Sequence, residues 1–219
     1  RYFSPLAEVA FCGHATVAAG VALADAGVAG DLVFGTVGGP VAVTTASVDG
    51  EHAATLTSVP TRTRPASGRQ LATALRAMRW SAADHDPRYP AHVGYAGNEH
   101  LLLAVASRQL LAELDYDYPQ LKALMSAEGW TTVHAFWAET PTLFHARDPF
   151  PPGGVVEDPA TGAAAAAFGG YLRSLELLPV PSRVTILQGH DMGAPSRLLV
   201  DLDPEVTTVR VTGTAKPIS

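Results

Sequence analysis

The chain has 219 residues, 47% of them apolar and 16% charged, enough hydrophobic surface to offset the entropy of ordering; disorder and stapled mini-protein scaffolds are excluded. Fifteen Lys and Arg against 21 Asp and Glu give a formal net charge of −6, evenly spread, which argues against nucleic acid as a partner. The longest uncharged apolar stretches, residues 9–24 and 159–172, are rich in Gly and Ala and shorter than the roughly 20 strongly apolar residues that span a bilayer, so no transmembrane helix and no membrane partner are expected.

Arg1-Tyr2-Phe3 opens the chain as a strand. Residues 11–24 follow, apolar on nearly every side of a helical wheel and stopping at Gly27, a natural C-cap. Residues 32–37, 41–48 and 53–59 alternate small apolar residues with Thr and Ser, and Gly38-Gly39-Pro40 and Asp49-Gly50 break them as turns do, which predicts an antiparallel meander. Residues 67–80 carry Leu71, Leu75 and Met78 on one face and Arg69, Arg76 and Arg79 elsewhere, the pattern of an amphipathic surface helix. A second such helix is predicted over 118–128. Strands are predicted over 92–95, 100–106, 132–138, 143–146, 183–188, 197–202 and 207–211. Between them, residues 157–168 read as a helix with Asp158 as N-cap and Pro159 at the first helical position. The order is α+β rather than repeating βαβ.

A helix that is apolar all round must be wrapped on all sides. The flanking strands supply the wrapping, so two similar lobes are expected, each a curved, mostly antiparallel sheet or barrel around one buried helix. Residues 1–66 form the first lobe, incomplete at its start and completed by 205–219; residues 67–204 form the second. The polar residues of the two helices sit only at their N-termini, where unpaired N–H groups and the positive end of the dipole suit an anion such as a carboxylate. Gly13 and Gly162 would let a ligand approach the backbone. A plainer reading stands beside this one: the glycines serve tight turns, Asp158 is only an N-cap, and His14 is a satisfied core histidine.

Cys12-Gly13-His14-Ala15-Thr16, followed by Glu157-Asp158-Pro159-Ala160-Thr161-Gly162, resembles the signature pair of the PhzF-like, phenazine-biosynthesis isomerase family, which has the diaminopimelate epimerase fold. Arg1 to Glu8, His100-Leu101-Leu102, the stretch from Gln188-Gly189 to Pro195-Ser196, and Val211 to Ala215 resemble further parts of that family in the same order. The resemblance implies two lobes with the helix N-termini pointing into a cleft, a homodimer, and cofactor-free acid/base isomerisation or epimerisation of a small carboxylate-bearing metabolite. By motif, His14 and Asp158 carry over as the catalytic pair. Gly13, Ala15, Thr161, Gly162 and Ala163 carry over as the substrate-binding cradle. Cofactor-independent racemases use two cysteines, and the single Cys12 excludes a two-thiol racemase; a single cysteine and the want of a basic, then hydrophobic, opening also point to a reducing, cytoplasmic location.

Two departures from the family pattern bear on function. The resemblance implies a Glu general base in a segment upstream of the opening strand, and no residue here matches it. The position after Gly162, commonly Ser, is Ala163. The expectation is that a front segment belongs before Arg1, because without its strands a sheet edge and a buried helix would lie uncovered. The alternative is a non-catalytic carboxylate-binding or accessory protein that has lost the base. Asp84, His85, Asp86 and His92 lack regular metal-ligand spacing and read as a surface loop, so no metal is expected. No dinucleotide fingerprint, P-loop or nucleophile elbow is present, so no nucleotide cofactor is expected. His134 and His145 read as structural, and Tyr95, Trp137 and Phe150 could line a cleft, although core packing is the simpler expectation.

Overall fold

A computed structural model describes residues 1–3, 8–9, 12–37, 39–48 and 50–216. In chain order the strands are β1 (Tyr2–Phe3), β2 (Glu8–Val9), β3 (Asp31–Thr36), β4 (Gly39–Val48), β5 (Glu51–Thr57), β6 (Arg62–Pro65), β7 (His92–Tyr95), β8 (Glu99–Ala104), β9 (Trp130–Thr140), β10 (Leu143–Pro149), β11 (Glu157–Asp158), β12 (Ser182–Gln188), β13 (Ser196–Leu202) and β14 (Arg210–Thr214). The helices are α1 (Gly13–Asp25), α2 (Gly68–Ala77), α3 (Arg108–Ala112), α4 (Tyr118–Glu128) and α5 (Gly162–Ser174). None of the described helices is long and apolar enough to cross a membrane.

The strands join along one hydrogen-bonded path, β3-β4-β5-β14-β13-β12-β10-β9-β8-β7-β6, with β11 paired to β10. Pairing is antiparallel except where β8 meets β9 and β10 meets β12. The α+β class with curved sheet around helices is what the sequence leads one to expect. α1 packs on β4, β5 and β14, and α5 on β6, β7, β8, β13 and β14.

Small residues let α5 fit inside its sheet. From Gly162 through Leu172 every residue is buried. A Cβ at Gly169 would fall 2.8 Å from Val200 and from Leu202, so only glycine admits the strands this closely. Phe168 anchors the interior, its ring 4.6 Å from that of Phe136 and 4.9 Å from that of Phe144. Burial of each such ring contributes about 1.5–3 kcal/mol. α1 differs from expectation: it buries the stripe Thr16, Val17, Gly20, Val21 and Ala24, while Ala22 and Leu23 face outward. That outer face is mostly alanine, so its exposure leaves little large apolar surface in water.

Local signals account for the other elements. Ser67 and Gln70 form the reciprocal cap that starts α2. α4 runs over the predicted 118–128, started by Asp117 and stopped by Gly129 in the left-handed conformation. α1 ends at Asp25, with Ala26 as C-cap followed by Gly27, whose φ is +89°. The strand predicted over 207–211 lies at 210–214 instead. The carbonyl of Thr207 accepts from the Thr61 N–H and from Arg173, and that of Thr208 accepts from Arg173, which holds them off the ladder. α3, at five residues, is too short to announce itself by periodicity, and β6 carries too few apolar residues to do so.

Candidate functional site

The N-termini of α1 and α5 meet. A Cβ built on Gly13 would lie 3.0 Å from Gly162 Cα, 3.2 Å from Gly162 N and 3.3 Å from Ala163 N. The two glycines thus let the helices approach each other, rather than opening the backbone to a ligand alone. The first-turn N–H groups of Gly13, His14 and Ala15, and of Gly162 and Ala163, have no acceptor within their own helices, and both dipoles present their positive ends here.

Asp158 is not the N-cap of α5. It ends β11, paired with Asp148 of β10, and Thr161 occupies the cap position without a side-chain cap bond. The reason is local: the Thr161 hydroxyl donates to Asp158 Oδ2 at 2.8 Å and accepts from Gln188 Nε2 at 3.0 Å. Gln188 also donates to the Asp158 carbonyl at 2.7 Å and accepts the Thr161 N–H at 3.0 Å. One buried glutamine therefore holds both ends of the turn between Asp158 and α5, leaving Asp158 Oδ1 to face α1.

His14 answers from the other helix. Its Nδ1 lies 3.0 Å from the Ala160 carbonyl oxygen and 3.4 Å from Asp158 Oδ1, with the Cys12 sulfur 3.6 Å away. The side chain is 44% exposed, which rules out a core histidine. Its pKa is raised to about 10, chiefly by the Asp158 hydrogen bond and next by Cys12. At neutral pH this ring is an imidazolium beside a carboxylate.

Both groups open onto a cavity of about 760 Å³, the size of a small-molecule site. All seven residues singled out from the sequence line it: His14, Asp158, Gly13, Ala15, Thr161, Gly162 and Ala163. Phe150, expected in the core, also lines it. Cys12, Glu157 and His100, quoted from the sequence only within motifs, also line it, as does Thr132, which sequence reasoning passed over. Glu157 is locked rather than free, its carboxylate gripped by Arg147, whose Nη1 also donates to the Ala112 carbonyl at 2.9 Å. His14, Gly13 and Gly162 further border a second cavity of about 460 Å³ that includes the exposed Arg197 and Lys216.

Other candidates stay apart. Asp84 fastens the turn at Ser81, and Asp86 pairs with Arg88. Tyr95 lies under Arg62, and Trp137 against His145. Among the described residues no group of three His, Cys, Asp or Glu is placed to hold a metal.

A family model described as phenazine biosynthesis-like protein matches residues 1–219. An uncharacterized isomerase of Deinococcus radiodurans is 33% identical over 95% of this chain and 70% of its own length. The trans-2,3-dihydro-3-hydroxyanthranilate isomerase of Pseudomonas chlororaphis is 28% identical over 97% of this chain and 74% of its own. A Bacillus anthracis phenazine biosynthesis protein of the PhzF family superposes with a TM-score of 0.82 at 20% identity, covering 98% of this chain and 76% of that one, a likeness of fold.

Proposed function

The chain belongs to the phenazine biosynthesis-like family, and from that premise we propose that it is a cofactor-independent isomerase that moves a proton on a small carboxylate-bearing metabolite. The observation that carries the proposal is the convergence of two helix N-termini on a His14–Asp158 pair inside one cavity. The first-turn N–H groups bind the carboxylate. Ala163 brings no hydroxyl, so its contribution to the cradle is its backbone N–H.

The geometry supports a distinct role for each member of the pair. Nδ1–H of His14 is engaged by the Ala160 carbonyl and Asp158, so Nε2 is the nitrogen that exchanges a proton with substrate. As an imidazolium it donates; once neutral it takes the proton back at another position. Donation leaves His14 neutral and adds positive charge to the substrate, and the substrate carboxylate, held by the same N–H groups, balances that charge until the ring removes a proton elsewhere. Asp158 orients the ring and keeps it charged.

The test is solvent-deuterium incorporation. The protein is incubated in D2O with trans-2,3-dihydro-3-hydroxyanthranilate, the compound in the relative's name, and with amino- and hydroxy-substituted small carboxylates. The wild type should incorporate deuterium into at least one of them, and His14→Gln and Asp158→Asn should lose the rate by about 10²-fold or more while staying folded. Undiminished exchange in both variants would sink the mechanism. Saturable binding without exchange would instead make the protein a carboxylate binder.

A further inference from the structure

Two stretches picked out in the sequence, one ending at Ser196 and one at Ala215, do not line the first cavity; their last residues line the second. Each is followed at once by a cation, Arg197 in β13 and Lys216 just past β14. Strand pairing brings the two cations to one end of the sheet. β14 lies between β13 and β5, with Leu199 opposite Thr212 and Thr214 opposite Ala53. Glu51 starts β5 at the same end and also lines the cavity. The facing wall is the α1–α5 junction, since Gly13, His14, Ala160 and Gly162 border both cavities.

The charges around this second cavity do not balance. Arg197 and Lys216 are exposed and form no ion pair with any described residue, Glu51 included. The hydroxyls of Ser196 and Thr214 stand beside them, and neither is hydrogen-bonded to a described residue. With His14 an imidazolium, the described lining carries three positive groups against the Glu51 carboxylate. Like charges gathered at a concave surface repel one another and focus a positive potential into it, which an anion relieves. At about 460 Å³ the cavity has room for an anionic group and the chain that bears it. Access is open, because Arg197, Thr214 and Lys216 are exposed and Ser196 is half-buried.

We propose that the second cavity is an anion site, in which Arg197 and Lys216, with the hydroxyls of Ser196 and Thr214 donating, bind a carboxylate or phosphate group beside His14. Because the two cavities share the helix junction, that group is either the far end of a substrate whose carboxylate lies in the first cavity, which makes the substrate a dianion, or a separate ion. The first case rests on the carboxylate site proposed above and the second does not, and the experiment separates them.

Butyrate, valerate and hexanoate are compared with succinate, glutarate and adipate by calorimetry at low salt, and inorganic phosphate is titrated with and without butyrate. Histidine labelled with 15N, with His14 assigned by His14→Gln, reports the first cavity. The double variant Arg197→Gln, Lys216→Gln removes both cations at exposed positions, and Arg69→Gln, exposed on α2 outside both cavities, controls for net charge. At least one diacid should bind about tenfold tighter than the monoacid of its length; the ratio should fall toward one in the double variant and hold in Arg69→Gln. Phosphate that saturates alongside butyrate through the same two residues, with no diacid gain, supports the separate ion. The second site is overturned by the absence of both effects, by effects that survive the double variant, or by losses as large in Arg69→Gln; the carboxylate site then stands if the monoacids shift His14. If no acid shifts His14 while phosphate still binds through Arg197 and Lys216, the carboxylate site fails and the second site stands.

Discussion

Replacing Gly13 by alanine tests the contact on which the site is built. The new Cβ would stand 3.0 Å from Gly162 Cα and 3.2 Å from Gly162 N, against a preferred carbon–carbon separation of about 3.5–4.0 Å. Both obstructing atoms are backbone, so no side chain can swing away, and the helices must separate by roughly half an ångström or more. Overpacking of this kind costs about 1–3 kcal/mol, offset by at most about 1 kcal/mol from the better helix propensity of alanine. The net loss should be about 1–2 kcal/mol, or a melting temperature lower by about 2–8 °C for a chain of this size. Gly162→Ala should cost less, since its Cβ would meet nothing nearer than 3.3 Å. Gly68→Ala, at the start of α2 with nothing within 4 Å, should be neutral or stabilising by up to about 1 kcal/mol. The site supplies a second readout by NMR titration: as the helices part, His14 Nδ1 should draw away from Asp158 and its pKa fall from about 10. Gly13→Ala with wild-type stability and an unmoved His14 titration would refute a tight junction.

Asp158→Asn removes the largest cause of the raised His14 pKa, which should drop from about 10 toward 6.5, carrying the alkaline limb of any exchange activity with it; Cys12→Ala should lower it less. The sign for stability follows: the raised His14 pKa stabilises fully below 6.5 and is lost as pH rises through about 10, so the wild type should lose its advantage over Asp158→Asn across that window. His100 acts in the opposite direction, because between about pH 3 and 6.5 the unfolded chain binds its proton and the native chain does not. Stability should therefore rise with pH there by up to about 1.4 kcal/mol per unit, and His100→Leu should flatten the slope of urea-derived stability between about pH 4 and 6. Asp148, raised by burial, contributes with the other sign in both proteins, so the difference isolates His100. Arg147→Met should cost about 3–5 kcal/mol by leaving Glu157 buried without its cation, and adding Glu157→Leu should recover part of that; a single-variant loss below about 1 kcal/mol would contradict it.

Much of this was legible where the signal is local. The cap Ser67 with Gln70, the stop at Gly129 and the left-handed Gly27 mark helix ends because the residue type meets a backbone need at that position. The polar residues at the starts of two apolar helices were enough to point to the residues that line the cavity. Asp158 was misplaced at the cap because Asp-Pro followed by an apolar run fits a helix start equally well. Its actual place depends on Gln188, 30 residues away and brought in by the parallel pairing of β10 with β12, which no local pattern reports. The buried hydrogen bonds of Thr132 to His100 and to Asp148 escaped for the same reason: each is a polar residue on a separate strand, and only strand register brings them together.

The junction of α1 with α5 also explains why the site should prefer an anion over water. Two helix N-termini each carry about half a positive charge, and at a few ångströms in a partly buried setting their repulsion is on the order of 1 kcal/mol. His14, charged at neutral pH, adds a third positive centre within 3.4 Å of Asp158. Asp158 therefore faces more positive charge than it can neutralise, and a substrate carboxylate completes the balance. The excess should show as affinity that falls with salt and with rising pH through the His14 titration. Carboxylate binding insensitive to both would mean that the cradle works through shape alone.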